Sequence, residues 1–287
     1  MTRVAVIGLG QMGLGMALVL REKGFAVAGH DLSAERRALA AEAGAAVPGD
    51  AALAAAGADI ILLSLPLAAH VASAVESLLE GMRPGAVFVD TSTSEASVSR
   101  RLHGLCGARG VGFLDAPVSG GPAGARAGAL TFMIGGEAAD LERARPAIAA
   151  LAAKLIHVGP PGAGNVAKLV NNLLVAANLL TVSEAMRLAA SAGVDAASVL
   201  NVVNAASGRS AVSEVNYPRW IASGAFDSGF TMGLMRKDVR LAAAMAAEAG
   251  AELPLCGMAA RLWAESAAQL ADGEDFNRIV TLGGDGA

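Results

Sequence analysis

Cysteine is nearly missing from this chain. Cys106 and Cys256 are its only two. They lie far apart and outside any metal-ligand spacing, which excludes a disulfide framework and a zinc site and points to a reducing, cytoplasmic setting. An excess of basic charge is missing as well. With 22 Lys plus Arg against 26 Asp plus Glu, the net charge is −4, so there is no positive field of the kind nucleic acid binding draws on. Mean hydropathy is high at +0.50, yet no uninterrupted apolar run reaches the roughly 18–20 residues of a membrane span. The longest candidates, 60–75 and 169–183, are broken by Pro66 and His70 in the first and by asparagines in the second. Arg3 followed by the uncharged stretch 4–20 imitates a signal peptide, but the glycines within it have a better use, given below. Neither a membrane nor a nucleic acid is expected as a partner.

What is present is regular alternation. β-type runs at 3–7, 26–30, 60–64, 86–89, 112–114, 130–134 and 154–158 predict strands, and amphipathic stretches such as 12–23, 34–43, 68–79 and 95–106 predict helices between them. That order gives an α/β domain with a mostly parallel sheet covered on both faces. The pattern changes after the turn-forming Gly159-Pro160-Pro161-Gly162. Asn165 to Ala192 holds neither proline nor glycine, and Val166, Leu169, Val170, Leu173, Ala177 and Leu180 recur at helical spacing. This predicts one helix of roughly 28 residues, about 42 Å long. Further helices are expected near 196–204, 210–222, 232–249 and 255–270, with no strand among them. At 287 residues two domains are the expectation: an α/β domain over 1–161 and an all-α domain over 162–287, joined by the long helix.

The first strand runs into Gly8-Leu9-Gly10-Gln11-Met12-Gly13 and then a helix. In a G-x-G-x-x-G turn the first glycine permits the tight turn, the second lets backbone approach a pyrophosphate, and the third lets helix pack on strand. A lone motif of this kind is weak evidence. Here it has a strand before it, a helix after it, and Asp31 at the end of the second strand, about 20 residues on, as dinucleotide binding requires. The domain therefore reads as a Rossmann fold. A carboxylate at Asp31 accepts hydrogen bonds from ribose hydroxyls and repels a 2′-phosphate, which favours NAD over NADP. Arg36 and Arg37 would soften that choice, but read as solvated helix-face charges. Ser64-Leu65-Pro66 and Asp90-Thr91-Ser92-Thr93 follow two further strands, where ligands of open α/β sheets bind, although such residues also serve ordinary turns and caps.

A second concentration of unusual residues is Gly162-Ala163-Gly164-Asn165-Val166-Ala167-Lys168-Leu169-Val170-Asn171-Asn172. On a helix, Asn165, Lys168 and Asn172 share one face. A lone lysine ordinarily belongs to a solvated face, but these neighbours are nearly all apolar, and the helix begins where the two domains should meet, the kind of place where small-molecule sites concentrate. Oxidising an alcohol to nicotinamide needs a base for the hydroxyl proton, and the reverse needs an acid. A lysine does both, and Asn172 would orient the substrate oxygen. Ser119-Gly120-Gly121 reads either as a turn whose N–H groups cradle a carboxylate or as a tight loop. Lys237, in Leu234-Met235-Arg236-Lys237-Asp238, either reaches the cofactor or the substrate anion, or serves an ion pair.

GLGQMG at 8–13, DAPVSGG at 115–121, GAGNVAKLVNN at 162–172 and LMRKD at 234–238 together resemble the β-hydroxyacid dehydrogenase family, the 3-hydroxyisobutyrate dehydrogenase-like enzymes. The resemblance covers nearly the whole chain. It implies that Lys168 is catalytic, that Ser119, Gly120, Gly121 and Asn172 hold a small carboxylate substrate, and that Leu65, Pro66, Thr93 and Lys237 belong to the cofactor site. It also implies a homodimer or homotetramer. Relatives using NADP carry Asn-Arg-Thr where this chain has His30-Asp31-Leu32, which again supports NAD. Competing readings are an NADPH-linked reductase of small aldehydes or imines and a non-catalytic dinucleotide-binding module; Lys168 counts against both.

Overall fold

The computed structural model describes residues 1–282. The chain divides into two units, the first being Met1–Lys168 and the second starting at Leu169. The division falls inside the long helix, seven residues past the boundary expected after residue 161.

Eight strands form one sheet in the first unit: β1 (Arg3–Ile7), β2 (Ala26–His30), β3 (Ile60–Leu63), β4 (Val87–Asp90), β5 (Gly112–Asp115), β6 (Val118–Ser119), β7 (Leu130–Gly135) and β8 (Ala152–Gly159). Their order is β2-β1-β3-β4-β5-β7-β6, with β8 also paired to β7. Pairing is parallel from β2 to β5, antiparallel where β7 meets β5 and β6, and parallel again between β7 and β8. Helices α1 (Gln11–Glu22), α2 (Ala34–Glu42), α3 (Ala51–Ala55), α4 (Ala68–Leu78), α5 (Ala96–Gly107), α6 (Gly121–Ala127) and α7 (Ala138–Leu151) connect them.

The strands are apolar on both sides because both faces of the sheet are covered. Val4 and Val6, Ile60 and Leu62, and Val87 and Val89 point into one core with Met16 and Leu20 of α1 and Leu141, Ile148 and Leu151 of α7. The alternate residues, Ala5 and Ile7, Ile61 and Leu63, and Phe88, point into a second core with Val71 and Val75 of α4 and Leu102 of α5. Each such aliphatic side chain contributes about 1.5–3 kcal/mol on burial, so the register of the parallel strands is fixed from both sides.

The long helix is α8 (Ala163–Ser191), 29 residues. By length and composition alone it is apolar enough to cross a bilayer, although its sequence contains no uninterrupted apolar run of that length. In the second unit Leu169, Leu173, Ala176, Leu179, Val182 and Met186 place it in a core with residues of α10 (Met232–Glu248) and α11 (Pro254–Glu265), which follow α9 (Ala196–Ala205). The expected helix at 210–222 is a π-helix, Val212–Ile221, containing Pro218. A proline cannot donate into a regular helical ladder; here the ladder is re-spaced, and Ala222 N donates to Tyr217 O at 2.8 Å.

Trp263 anchors this second core. Its side chain is fully buried and Nε1 donates to Ala176 O at 3.1 Å, so truncation removes packing and one hydrogen bond onto α8. Trp263→Ala is expected to destabilise the second unit by about 3–5 kcal/mol, read as an earlier urea transition; a loss under about 1 kcal/mol would show that the site is not a core anchor.

Candidate active site

A parallel strand delivers its following loop to one edge of the sheet, so the carboxyl ends of β2, β1, β3 and β4 gather there in that order. The cofactor residues assigned from sequence in this unit all lie on that edge: Gly8 to Gly13 between β1 and α1, Asp31 after β2, Leu65 and Pro66 after β3, and Thr93 after β4. Backbone bonds tie the strand ends together. Gly8 N donates to His30 O at 2.8 Å, Ser64 N to Ile7 O at 2.9 Å, and Leu65 N to Ser92 Oγ at 2.9 Å.

Within the glycine turn the residues divide by role. A Cβ on Gly13 would sit 1.8 Å from Gly8 O, whereas one on Gly10 would meet only the Arg36 guanidinium, at 3.3 Å. Gly13 is thus fixed by helix-on-turn packing, and Gly10 leaves the backbone approachable. Leu9 is buried in the core, so only its backbone is available to a ligand, and Met12 packs partly buried against the same core. Gly10 is the N-cap of α1, with no side-chain cap and no acidic residue in the first turn. Uncapped N–H groups at the positive end of a helix are the donor set a pyrophosphate takes, so the residues present fit a dinucleotide.

Asp31 holds the lip of this edge. Its Oδ2 accepts from Leu9 N at 2.7 Å and its Oδ1 from Ser33 N at 2.8 Å, two charge-assisted bonds that fix the carboxylate. The two arginines are not simply solvated charges, as the sequence reading had them. Arg37 Nη1 donates to the carbonyls of Asp31 at 2.6 Å and Leu32 at 2.9 Å. Arg36 is exposed, but its guanidinium lies over Gly10.

Two further carboxylates, Asp90 from the strand-end segment 90–93 and Asp115 from the segment 115–121, lie side by side at the ends of β4 and β5, where Asp90 is the register partner of Asp115. Asp90 accepts from Ser92 N at 2.9 Å and Ser94 Oγ at 3.4 Å. Burial pushes its carboxyl up to about 7 against the pull of Ser92 and Ser94, with Asp115 adding to the rise. Asp115 is fully buried, and its two oxygens accept from Gly162 N at 2.7 Å and Asn165 N at 2.9 Å. Burial raises its carboxyl too, and the N–H groups of Asn165 and Gly162 oppose that. Asn165 in turn accepts from Ser94 N at 2.9 Å and donates to Ser99 Oγ at 3.0 Å. Lys168 lies one turn further along α8 and is 8% exposed.

Ser119 ends β6, and Gly120, at φ +126°, hands the chain to α6, which begins at Gly121 with Pro122. The segment is therefore a strand end and a helix start rather than a free-standing turn. In the second unit, Asn172 Nδ2 donates to Asp238 Oδ2 at 2.6 Å, and Lys237 Nζ lies 3.3 Å from Asp238 Oδ1. Asp238, 1% exposed, joins two residues that the sequence reading had assigned separately. Asn216 donates to Asn277 Oδ1 at 2.7 Å.

Comparison with known proteins decides what this arrangement belongs to. The NAD binding domain of 6-phosphogluconate dehydrogenase matches residues 3–159, and the NAD-binding domain of NADP-dependent 3-hydroxyisobutyrate dehydrogenase matches 162–282. A probable 3-hydroxyisobutyrate dehydrogenase of Mycobacterium tuberculosis is 38% identical over 98% of this chain and 97% of its own. The chain belongs to the β-hydroxyacid dehydrogenase family. An NAD-dependent L-serine dehydrogenase of Pseudomonas aeruginosa is 37% identical over 92% of this chain and 91% of its own. The solved M. tuberculosis 3-hydroxyisobutyrate dehydrogenase with L-serine superposes with a TM-score of 0.93 at 38% identity, covering 99% of this chain and all of that one. This family member is thus an NAD-dependent hydroxyacid dehydrogenase with a Rossmann domain followed by a helical one. Of the two nicotinamide cofactors, NAD is the one that Asp31 favours.

Two outcomes follow from the strand-end carboxylates of this dehydrogenase. Asp31→Ala removes a charged hydrogen-bonding group of about 1.5–3 kcal/mol, so the ratio of kcat/KM with NAD to that with NADP is expected to fall about tenfold or more; an unchanged ratio would place cofactor choice elsewhere. Asp90 keeps its proton in the folded chain up to about pH 7, whereas an unfolded aspartate releases it near 3.8. Folding therefore takes up a proton in that window, and this group's contribution to stability declines as pH rises from about 4 to 7. Asp90→Asn is expected to flatten that decline in urea titrations at several pH values, and a parental slope would show that Asp90 is not its source.

Proposed function

We propose that the enzyme oxidises a 3-hydroxy acid of the form HO–CH2–CH(R)–COO⁻, with small R, to the matching semialdehyde, Lys168 Nζ taking the hydroxyl proton as the carbinol carbon gives up hydride. The observation that carries this reading is a lysine held 8% exposed one turn past the anchored start of α8, within the segment GAGNVAKLVNN by which the chain resembles its family. Bound NAD supplies the hydride acceptor. In the reverse direction the ammonium returns the proton to the forming alkoxide, so one group serves as base and acid. Asn172, steadied by Asp238 at 2.6 Å, orients the substrate oxygen, and Ser119, Gly120 and Gly121 take the carboxylate.

Support for the substrate class comes from the chemistry shared by the relatives. 3-Hydroxyisobutyrate and L-serine are both 3-hydroxy carboxylates with a primary alcohol, differing in a methyl or an amino group on the central carbon. The test is nicotinamide absorbance with NAD across 3-hydroxyisobutyrate, L-serine, 3-hydroxypropionate, glycerate, threonate and 4-hydroxybutyrate. Turnover is expected for the first four, and little for threonate, a secondary alcohol at the reacting carbon, or 4-hydroxybutyrate, with its hydroxyl one carbon too far. Preference for 4-hydroxybutyrate would overturn the class. Lys168→Ala is expected to lose about 10²–10⁴-fold in kcat while still quenching or enhancing NADH fluorescence on binding; parental turnover would remove Lys168 from the mechanism.

A further inference from the structure

We propose that Asp115 is the positioning residue for Lys168, its carboxylate setting the height and rotation of the first turn of α8 and thereby the place of the ammonium. This rests on the reading of Lys168 as the proton-transfer group. Every element of the argument lies within the first unit.

A helix start is ordinarily loose, because its first N–H groups have no partner inside the helix. At α8 they are gripped. One oxygen of Asp115 takes Gly162 N at 2.7 Å and the other takes Asn165 N at 2.9 Å, so a single rigid carboxylate spans the junction from loop to helix. Asn165 is held from a second direction, by Ser94 N at 2.9 Å from the loop after β4 and by Ser99 Oγ at 3.0 Å from α5. The third restraint is steric. A Cβ on Gly164 would lie 2.4 Å from Met133 O of β7 and 2.5 Å from Asp115 O, so the helix backbone touches two strands directly. Contacts from β5, β7, α5 and the loop after β4 thus converge on the first turn and restrain its sliding and rotation.

Lys168 follows Asn165 by three residues, a rise of about 4.5 Å and less than one turn of a rigid helix. A displacement of the start is therefore passed on to Lys168 nearly undiminished. Proton transfer needs heavy atoms within about 2.6–3.2 Å, and a misplacement of about 1 Å costs on the order of 10²-fold. The amide of an asparagine at 115 keeps one acceptor oxygen but turns a second donor toward a backbone N–H, so one of the two clamps opens while the volume is unchanged.

The test is a double-mutant cycle on the full chain with saturating NAD and L-serine or 3-hydroxyisobutyrate, whichever turns over faster. Asp115→Asn is expected to lower kcat about 10–100-fold with NADH affinity within about twofold of the parent. In the Lys168→Ala background the same change should cost under about twofold, because the residue it acts through is gone. A merely structural role would give the same fold loss in both backgrounds, and that result overturns the proposal, as does parental kcat in Asp115→Asn while Lys168→Ala is inactive. Parental turnover in Lys168→Ala would instead sink the underlying reading, and this one with it. Should Asp115→Asn yield no folded protein, Asn165→Ala, which removes the clamp on Ser94 and Ser99 but keeps Asp115, is run through the same cycle with the same expected asymmetry.

Discussion

Parallel strands end together, and at the end of each the backbone must leave the ladder with its next N–H groups unpaired in a region that is already dry. This chain meets that requirement three times with an aspartate. Asp31 takes Leu9 N and Ser33 N, Asp90 takes Ser92 N and the Ser94 hydroxyl, and Asp115 takes Gly162 N and Asn165 N. Because a carboxylate accepts from two donors at a fixed separation, each one ties a strand end to a loop. The loops so tied are the glycine turn, the segment bearing Thr93 and the start of α8, which carry the residues proposed for cofactor binding and proton transfer.

The three carboxylates differ in burial, and burial sorts their chemistry. Asp31 is partly exposed, at the lip of the strand-end edge. Asp90 and Asp115 are buried at 1% and 0%, neighbours across one strand pairing, and desolvation raises both. Two like charges so placed disfavour each other's ionisation, and the donors around each oppose that rise. Asp115 receives the helix-start N–H groups of Gly162 and Asn165, while Asp90 is held by the side chain and N–H of Ser92 and by the Ser94 hydroxyl at 3.4 Å. At Asp115 the N–H groups of Asn165 and Gly162 oppose the rise that burial imposes, beside the positive end of α8, where a negative charge is stabilising.

Much of this was legible in the sequence, wherever local pattern and tertiary demand agree. β1 and β2 begin and end where alternation and the flanking residues put them, and the glycine turn with Asp31 announced the nucleotide edge. α6 was hidden by Gly120, Gly121, Pro122, Gly124 and Gly128, which read as a loop; Pro122 stands in the helix's first turn, where its missing N–H costs nothing. α7 carries Pro146 in its interior, a change of about 3 kcal/mol on propensity alone, offset by a buried stripe of Leu141, Ala144, Ile148 and Leu151. The roles of Asp115 and Asp238 were not legible because their partners are remote: Gly162 and Asn165 lie 47 and 50 residues beyond Asp115, and Asn172 lies 66 before Asp238. What the sequence shows at such places is only a charge at the end of an apolar strand or within an apolar helix.

Cofactor choice turns on magnitudes of the same kind. A 2′-phosphate brought to about 4 Å from the Asp31 carboxylate would meet a repulsion of about 4 kcal/mol per unit charge at an effective dielectric of 20, and that carboxylate is pinned by Leu9 N at 2.7 Å, so it does not readily swing aside. Arg36 is a cation on the neighbouring helix, α2. Its guanidinium, however, lies over Gly10, on the side of the turn that the motif reserves for the pyrophosphate, and both nicotinamide dinucleotides carry a pyrophosphate there. A cation in that position strengthens either cofactor by the same amount, leaving the difference between them to Asp31.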